Sequence, residues 1–128
     1  MKIAKVAIRN IQPSQLYISR KKYDFVNSFM IEQAPNHNYE PISVKVLNNE
    51  IVFLDGHTRA LWLINKGYRK IKIYYEEEKE WDWDGYLECI RLCKSENIFS
   101  VSDLRSRIIP HEEYKIKWYK KCSEIFKE

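Results

Sequence analysis

The sequence has no apolar run near the length of a membrane span. Its opening, Met1-Lys2-Ile3-Ala4-Lys5-Val6, also lacks the apolar core and small-residue cleavage site of a secretory leader. Both absences point to a cytoplasmic protein with no membrane partner. Cysteine is scarce and odd in number, so Cys89, Cys93 and Cys122 cannot all pair with one another. Cys89 and Cys93 lie one helical turn apart, a spacing a metal could use, but third and fourth ligands are missing and His111 is a candidate by chemistry alone. Reduced, buried thiols and no metal site are the expectation. There is no internal repeat or low-complexity segment. A strong charge of one sign is lacking as well: the net charge of +4 is too mild to imply nucleic acid.

What the chain does have is the composition of a soluble globular domain, 45% hydrophobic and 31% charged over 128 residues. That length fits one domain with a sizeable core and a helical appendage. Charge is unevenly distributed. Residues 1–75 carry 12 Lys/Arg against 5 Asp/Glu, whereas residues 76–84 carry 1 against 6. A basic first segment favours an anionic ligand, although lysines also serve to solvate strand edges.

Ile51-Val52-Phe53-Leu54 reads as a buried strand, stopped by Asp55-Gly56. A helix follows from His57 to Lys66, with Asp55 as its N-cap and Gly67 just past its end. Leu61 and Ile64 share one face of it, with Ala60 and Leu63 beside them. A strand that runs straight into a helix leaves the first helical N–H groups aimed at the turn, where with the helix dipole they form an anion site. Gly56 permits close approach, and His57, Thr58 and Arg59 add an imidazole, a hydroxyl and a two-pronged guanidinium suited to phosphate. The same residues also suit a plain helix start, with His57 and Arg59 solvated, and the sequence leaves both readings open.

Around this turn, residues 2–9 read as a strand broken by Pro13-Ser14, with Leu16 and Tyr17 anchoring the loop. Ser19 caps a helix from Arg20 to about Ile31, on which Tyr23, Val26 and Met30 form one stripe and Phe25 and Phe29 a second pair. Residues 34–41 form a loop. Ile42, Val44 and Val46 alternate with polar residues and lead through Asn48-Asn49, which tolerate positive φ, into the next strand of a hairpin. Ile71, Ile73 and Tyr75 mark another half-buried strand. The strands flanking the central helix suit parallel neighbours, and the hairpin makes the sheet mixed.

Beyond the acidic connector, Trp81 and Trp83 read as pinning it to the core rather than as stacking bases. Tyr86 to Lys94 is an amphipathic helix, Ser100 to Asp103 another cap, and Glu112 to Phe126 a helix. In that last helix Tyr114, Trp118, Cys122 and Phe126 recur every fourth residue as a packing stripe. The class is α+β: a small mixed sheet with packed helices over residues 1–78, and a helical extension over 79–128 packed on it.

Leu54-Asp55-Gly56-His57-Thr58-Arg59-Ala60, preceded by Pro41-Ile42-Ser43-Val44 and followed by the Lys66–Glu76 segment with its Gly67 and Ile71, resembles the ParB/sulfiredoxin superfamily. It is closest in pattern to the free-serine-kinase-like members. Ile8 to Leu16 also fits the first strand and turn of that superfamily, so the resemblance spans residues 3–75. It implies a nucleotide (ATP, ADP or CTP, with Mg2+) whose phosphates lie on Gly56, His57, Thr58 and Arg59. It further implies Asp55 or His57 assisting proton movement or holding a divalent metal, with a small hydroxyl compound as acceptor. The acidic residue that those kinases carry after the first strand is replaced here by Gln12-Pro13-Ser14-Gln15, which leaves Glu40 as the substitute catalytic candidate. The turn has no sulfiredoxin cysteine and no ParB-type double arginine, and no DNA-reading helix-turn-helix is evident after the core. Three functions follow: a phosphotransferase, a non-catalytic nucleotide-sensing or protein-interaction module, and a nucleic-acid-binding domain.

Overall fold

Alternating apolar residues make two adjacent strands of a hairpin, β3 (Ile42–Leu47) and β4 (Glu50–Phe53). Its two-residue turn holds Asn48 and Asn49 at φ of 50° and 65°, left-handed values that asparagine tolerates and that match the twist of the flanking strands. The computed structural model, which describes residues 2–126, places this hairpin at one side of a four-stranded sheet. β5 (Lys70–Tyr75) runs parallel to β3, with Ile73 opposite Ile42, and β1 (Ile3–Ala7) runs antiparallel to β5. The order is β1-β5-β3-β4, a mixed sheet whose inner face buries Ile42, Val44, Phe53, Ile71 and Ile73.

The two strands flanking the central helix are not parallel neighbours. Both pair with β3, from opposite sides and in opposite senses. The outer edge of β4 is already taken: the Gln12 N–H donates to the Ile51 carbonyl at 2.8 Å, and the Phe53 N–H donates to the Gln12 carbonyl at 2.9 Å. β5 therefore takes the free edge of β3.

Two helices lie together against the sheet. α1 (Arg20–Gln33) starts at Ser19, whose hydroxyl accepts from the Lys22 N–H at 3.3 Å. α2 (His57–Asn65) buries Ala60, Leu61, Trp62 and Leu63 in succession, and Trp62 Nε1 donates to Asn27 Oδ1 of α1 at 2.8 Å. Gly67, at φ 92°, ends it in the left-handed conformation typical of that position.

The tail shares the same hydrophobic core, to which Cys89, Cys93, Ile98, Val101, Leu104, Tyr114 and Trp118 all belong. α3 (Trp83–Ser95) begins earlier than its apolar spacing suggests, because the Asp82 carboxylate caps it by accepting from the Gly85 N–H at 2.9 Å. Lys94 on α3 pairs with Glu50 of β4, and Gln12 Nε2 donates to the Ile98 carbonyl at 2.9 Å. A short 3-10 stretch, Val101–Arg107, follows, with Asp103 accepting from the Ser100 N–H. A two-residue parallel bridge then joins β2 (Ile18–Ser19) to β6 (Ile108–Ile109).

The last helical run is not uniform. It passes from α4 (His111–Tyr114) through a π-helical segment, Lys115–Tyr119, into α5 (Lys120–Phe126). A stripe repeating every fourth residue drifts by about 120° over three steps on an α-helix of 3.6 residues per turn. A wider turn reduces that drift. Tyr114 and Trp118 are buried and Phe126 half-buried, against Tyr86.

Trp81 and Trp83 do not reach the central core. They stack on each other at 5.5 Å, with Tyr86 against Trp83 and Lys45 of β3 lying 4.8 Å from the Trp83 ring centre, while Trp81 stays 42% exposed. His111 is held elsewhere than at Cys89 and Cys93, by a 2.8 Å hydrogen bond between its Nδ1 and Ser19 Oγ. Burial pushes the Cys89 and Cys93 thiols up to about 12, so neither offers a thiolate near neutral pH.

Candidate functional site

The strand-to-helix turn forms as the sequence suggests, but Gly56 rather than Asp55 is the N-cap of α2. Gly56 has φ 80°, and a Cβ there would lie 2.8 Å from Ile42 Cγ2 in the core. Both the backbone angle and the space therefore require glycine. With the cap position so fixed, the Asp55 side chain points outward, exposed, and makes no cap hydrogen bond. The Ala60 N–H is bonded to the Gly56 carbonyl. The N–H groups of His57, Thr58 and Arg59 precede it in the helix and lack a carbonyl one turn back.

His57 is not solvated; it is 3% exposed. The Ser14 main-chain N–H donates to its Nε2 at 2.9 Å, while Ser14 Oγ is held by the Phe53 carbonyl at 2.6 Å. A backbone N–H can only donate, so Nε2 accepts and a neutral ring carries its proton on Nδ1. Among the described residues that Nδ1 has no hydrogen-bond partner. Burial holds the imidazole well below its ordinary value, at about 4, against the pull of the nearby Asp55 carboxylate. His57 is thus a neutral donor near pH 7, buried at the start of a helix and unpartnered.

A cavity of about 320 Å3 opens at this turn. Asp55, Gly56, His57, Thr58 and Arg59 line one side, and Gln15, Lys22, Phe25, Phe29 and Tyr114 line much of the rest. Arg59 is half-buried and steadied by Nη1 donating to the Glu40 carbonyl at 2.7 Å. Glu40 therefore joins the group through its main chain; its side chain is exposed and is not among those lining the cavity.

Sequence reasoning missed Lys22, Gln15 and Tyr114. Lys22 Nζ sits 5.3 Å from the Tyr114 ring centre and 4.8 Å from that of Tyr119, held over two faces of negative potential. Gln15 Nε2 donates to the Tyr114 hydroxyl at 3.0 Å. Burial, and then Tyr119, raise the Tyr114 pKa, so its hydroxyl stays protonated. The Arg20-Lys21-Lys22 run after the Ser19 cap was the one available signal for Lys22; nothing local links residue 15 to residue 114. The neutral Gln12–Gln15 stretch serves to position His57 and Tyr114.

No protein-family model matches the sequence, and no curated protein matches it. Solved structures do. A Pnob8-like ParB-N domain aligns over 96% of this chain and 45% of its own, with a TM-score of 0.50 and 13% identity. The protein Atu1540 from Agrobacterium tumefaciens aligns over 77% of this chain and 50% of its own, with a TM-score of 0.47 and 14% identity. The chain thus spans about half the length of the solved chains it matches. At such identity a likeness speaks to fold alone: this chain has the mixed α+β fold of a ParB-N domain.

Proposed function

We propose that the Asp55–Arg59 turn binds the phosphates of a nucleotide. The observation that carries this reading is the unpartnered Nδ1 of a 97%-buried His57 at the N-terminus of α2. A buried donor without a partner is costly, and a phosphate oxygen at the helix start satisfies it together with the first free N–H groups. Arg59 and Lys22, both lining the cavity, supply the opposing charge. ATP, ADP and CTP all fit this scheme, because the turn addresses phosphate rather than base.

Among the described residues no three His, Cys, Asp or Glu side chains converge to hold a metal. A magnesium ion would therefore arrive on the nucleotide's own oxygens, with Asp55 as the protein carboxylate beside it, the pattern usual for Mg2+. Phosphoryl transfer to a small hydroxyl compound is the finer reading. It rests on Asp55 as the proton acceptor, since the Glu40 carboxylate lies outside the cavity lining. A nucleotide-sensing module needs the same binding without turnover.

A thermal-shift panel of ATP, ADP, CTP and GTP, each with and without magnesium, tests the reading. A nucleotide present at 100 times its dissociation constant stabilises the fold by about 2.7 kcal/mol. No shift with any of the four would contradict it. Release of phosphate or ADP separates the transferase from the sensor.

A further inference from the structure

Residues 76–84, where β5 gives way to α3, hold six carboxylates and two tryptophans. The rings gather on one side of α3. Trp81 stacks on Trp83 at 5.5 Å, Tyr86 lies 6.5 Å from Trp81 and 5.6 Å from Trp83, and Phe126 of α5 meets Tyr86 edge-on at 5.3 Å. Gly85 makes the last contact possible, because a Cβ there would collide with the Phe126 ring. Trp81, Asp82, Tyr86, Cys122 and Phe126 thereby line an open pocket of about 500 Å3. None of them lines the cavity at the α2 turn.

Ring faces carry negative potential, and this cluster already holds one cation of its own chain: Lys45 Nζ lies 4.8 Å from the Trp83 ring centre while donating to the Glu76 carbonyl at 3.1 Å. The surrounding charge has the same sign. Among the described residues, none of Glu76, Glu77, Glu78, Glu80, Asp82 and Asp84 is in an ion pair. Glu76, Glu78 and Asp82 accept main-chain N–H bonds, which leave their charge in place. Asp82 also lines a second cavity, of about 560 Å3, between α3 and α5. There Asp84, Glu88 and Glu124 join it against Arg91 and Lys121, and Arg91 is itself paired with Glu88.

We propose that this surface binds a lysine- or arginine-bearing peptide segment of a partner protein. One cationic side chain lies against the exposed Trp81 ring in the aromatic pocket, with its apolar stem beside Tyr86 and Phe126. Further cations of the segment meet Asp84 and Glu124 in the second cavity, which the shared Asp82 joins to the first. The rings supply contact area and the carboxylates steer the approach. A nucleic acid would bring its phosphates against these carboxylates, and an apolar peptide would leave them unanswered. Such binding is independent of a nucleotide at the α2 turn.

Fluorescence anisotropy of a dye-labelled oligolysine peptide, titrated with the full chain over a range of salt, tests it. Binding should be tightest at low salt and weaken as salt rises. Trp81→Ala, which alters no charge, should weaken it about fivefold or more, and Trp81→Phe should recover part, because phenylalanine is the poorer partner for a cation. The double variant Asp84→Asn, Glu124→Gln should weaken it at least as much and flatten the salt dependence. A control double of equal charge change at two exposed positions of α1, Asp24→Asn, Glu32→Gln, should stay within about twofold of the parent, as should Arg59→Ala. The charge double leaves the rings intact and Trp81→Ala leaves the charges intact, so either one decides the matter if the other does not fold. Absence of binding at low salt, equal losses in both doubles, or Trp81→Ala binding like the parent would each overturn the proposal. So would a parent that ignores the peptide but dimerises in sedimentation and is made monomeric by Trp81→Ala, which would make a second copy of the chain the occupant.

Discussion

The Ser14 main-chain N–H donates to His57 Nε2 at 2.9 Å, and this one bond, joining a loop to the start of a helix 43 residues later, fixes the tautomer of a buried imidazole. It makes Nδ1 the ring's donor, and Nδ1 is the atom without a partner. The chemistry of the turn follows from that: His57 is a neutral, buried donor at the start of the helix, not a base.

The first consequence is a pH dependence. In the folded chain His57 titrates near 4, below its ordinary 6.5. Between those values the unfolded chain holds the proton and the folded chain does not, so acid favours unfolding. The contribution of His57 is complete above about pH 6.5 and is lost as pH falls toward 4, at up to about 1.4 kcal/mol per pH unit. Urea titrations of parent and His57→Gln between pH 4 and 7 should show a shallower pH slope in the variant. Parallel profiles would mean that His57 is not buried in its neutral form.

Much of this turn was legible in the sequence, because its signals are local. Apolar residues stopped by Asp55-Gly56, helical spacing after His57 and Gly67 at the end are all read within one window, as are the Asn48-Asn49 hairpin and the Ser19 cap. What the sequence concealed acts over long separations. Gln12 occupying the edge of β4, Ser14 on His57, and Tyr114 and Tyr119 under Lys22 each join residues more than thirty positions apart. The cap itself was misread for a local reason: Asp is an excellent N-cap, but here the left-handed Gly56 comes between it and the helix.

That misreading yields a contrast between two aspartates. Asp55→Ala removes no cap hydrogen bond and should change stability by less than about 0.5 kcal/mol. Asp82→Ala removes the bond to the Gly85 N–H and should cost about 1 kcal/mol. Denaturant midpoints of the two variants measure the difference, and a larger loss at Asp55 would restore it as the cap.

Gly56→Ala should be among the most damaging small substitutions in the chain. A non-glycine residue in the left-handed region costs on the order of 1–3 kcal/mol, and crowding Ile42 adds about 1–3 kcal/mol more. A midpoint within experimental error of the parent would show that the turn relaxes freely.

Truncation after Glu80 removes Tyr114 and Trp118 from the core, and with them the Ile98 carbonyl that accepts from Gln12. The fragment should expose apolar surface and aggregate, as read by size-exclusion chromatography and near-ultraviolet circular dichroism. A monomeric fragment as stable as the parent would make the tail an accessory.

The central claim, a phosphate site on the α2 turn, is tested most directly by calorimetric titration of magnesium–ATP into the parent, Arg59→Ala and Arg59→Lys. Losing the bond to the Glu40 carbonyl should cost Arg59→Ala about 1 kcal/mol of stability and leave it folded. Its affinity should fall at least tenfold, the equivalent of one charge-assisted hydrogen bond of about 1.5–3 kcal/mol, and lysine should recover only part, because an ammonium cannot reproduce the planar two-point contact. A folded Arg59→Ala protein that binds magnesium–ATP as tightly as the parent would contradict the account.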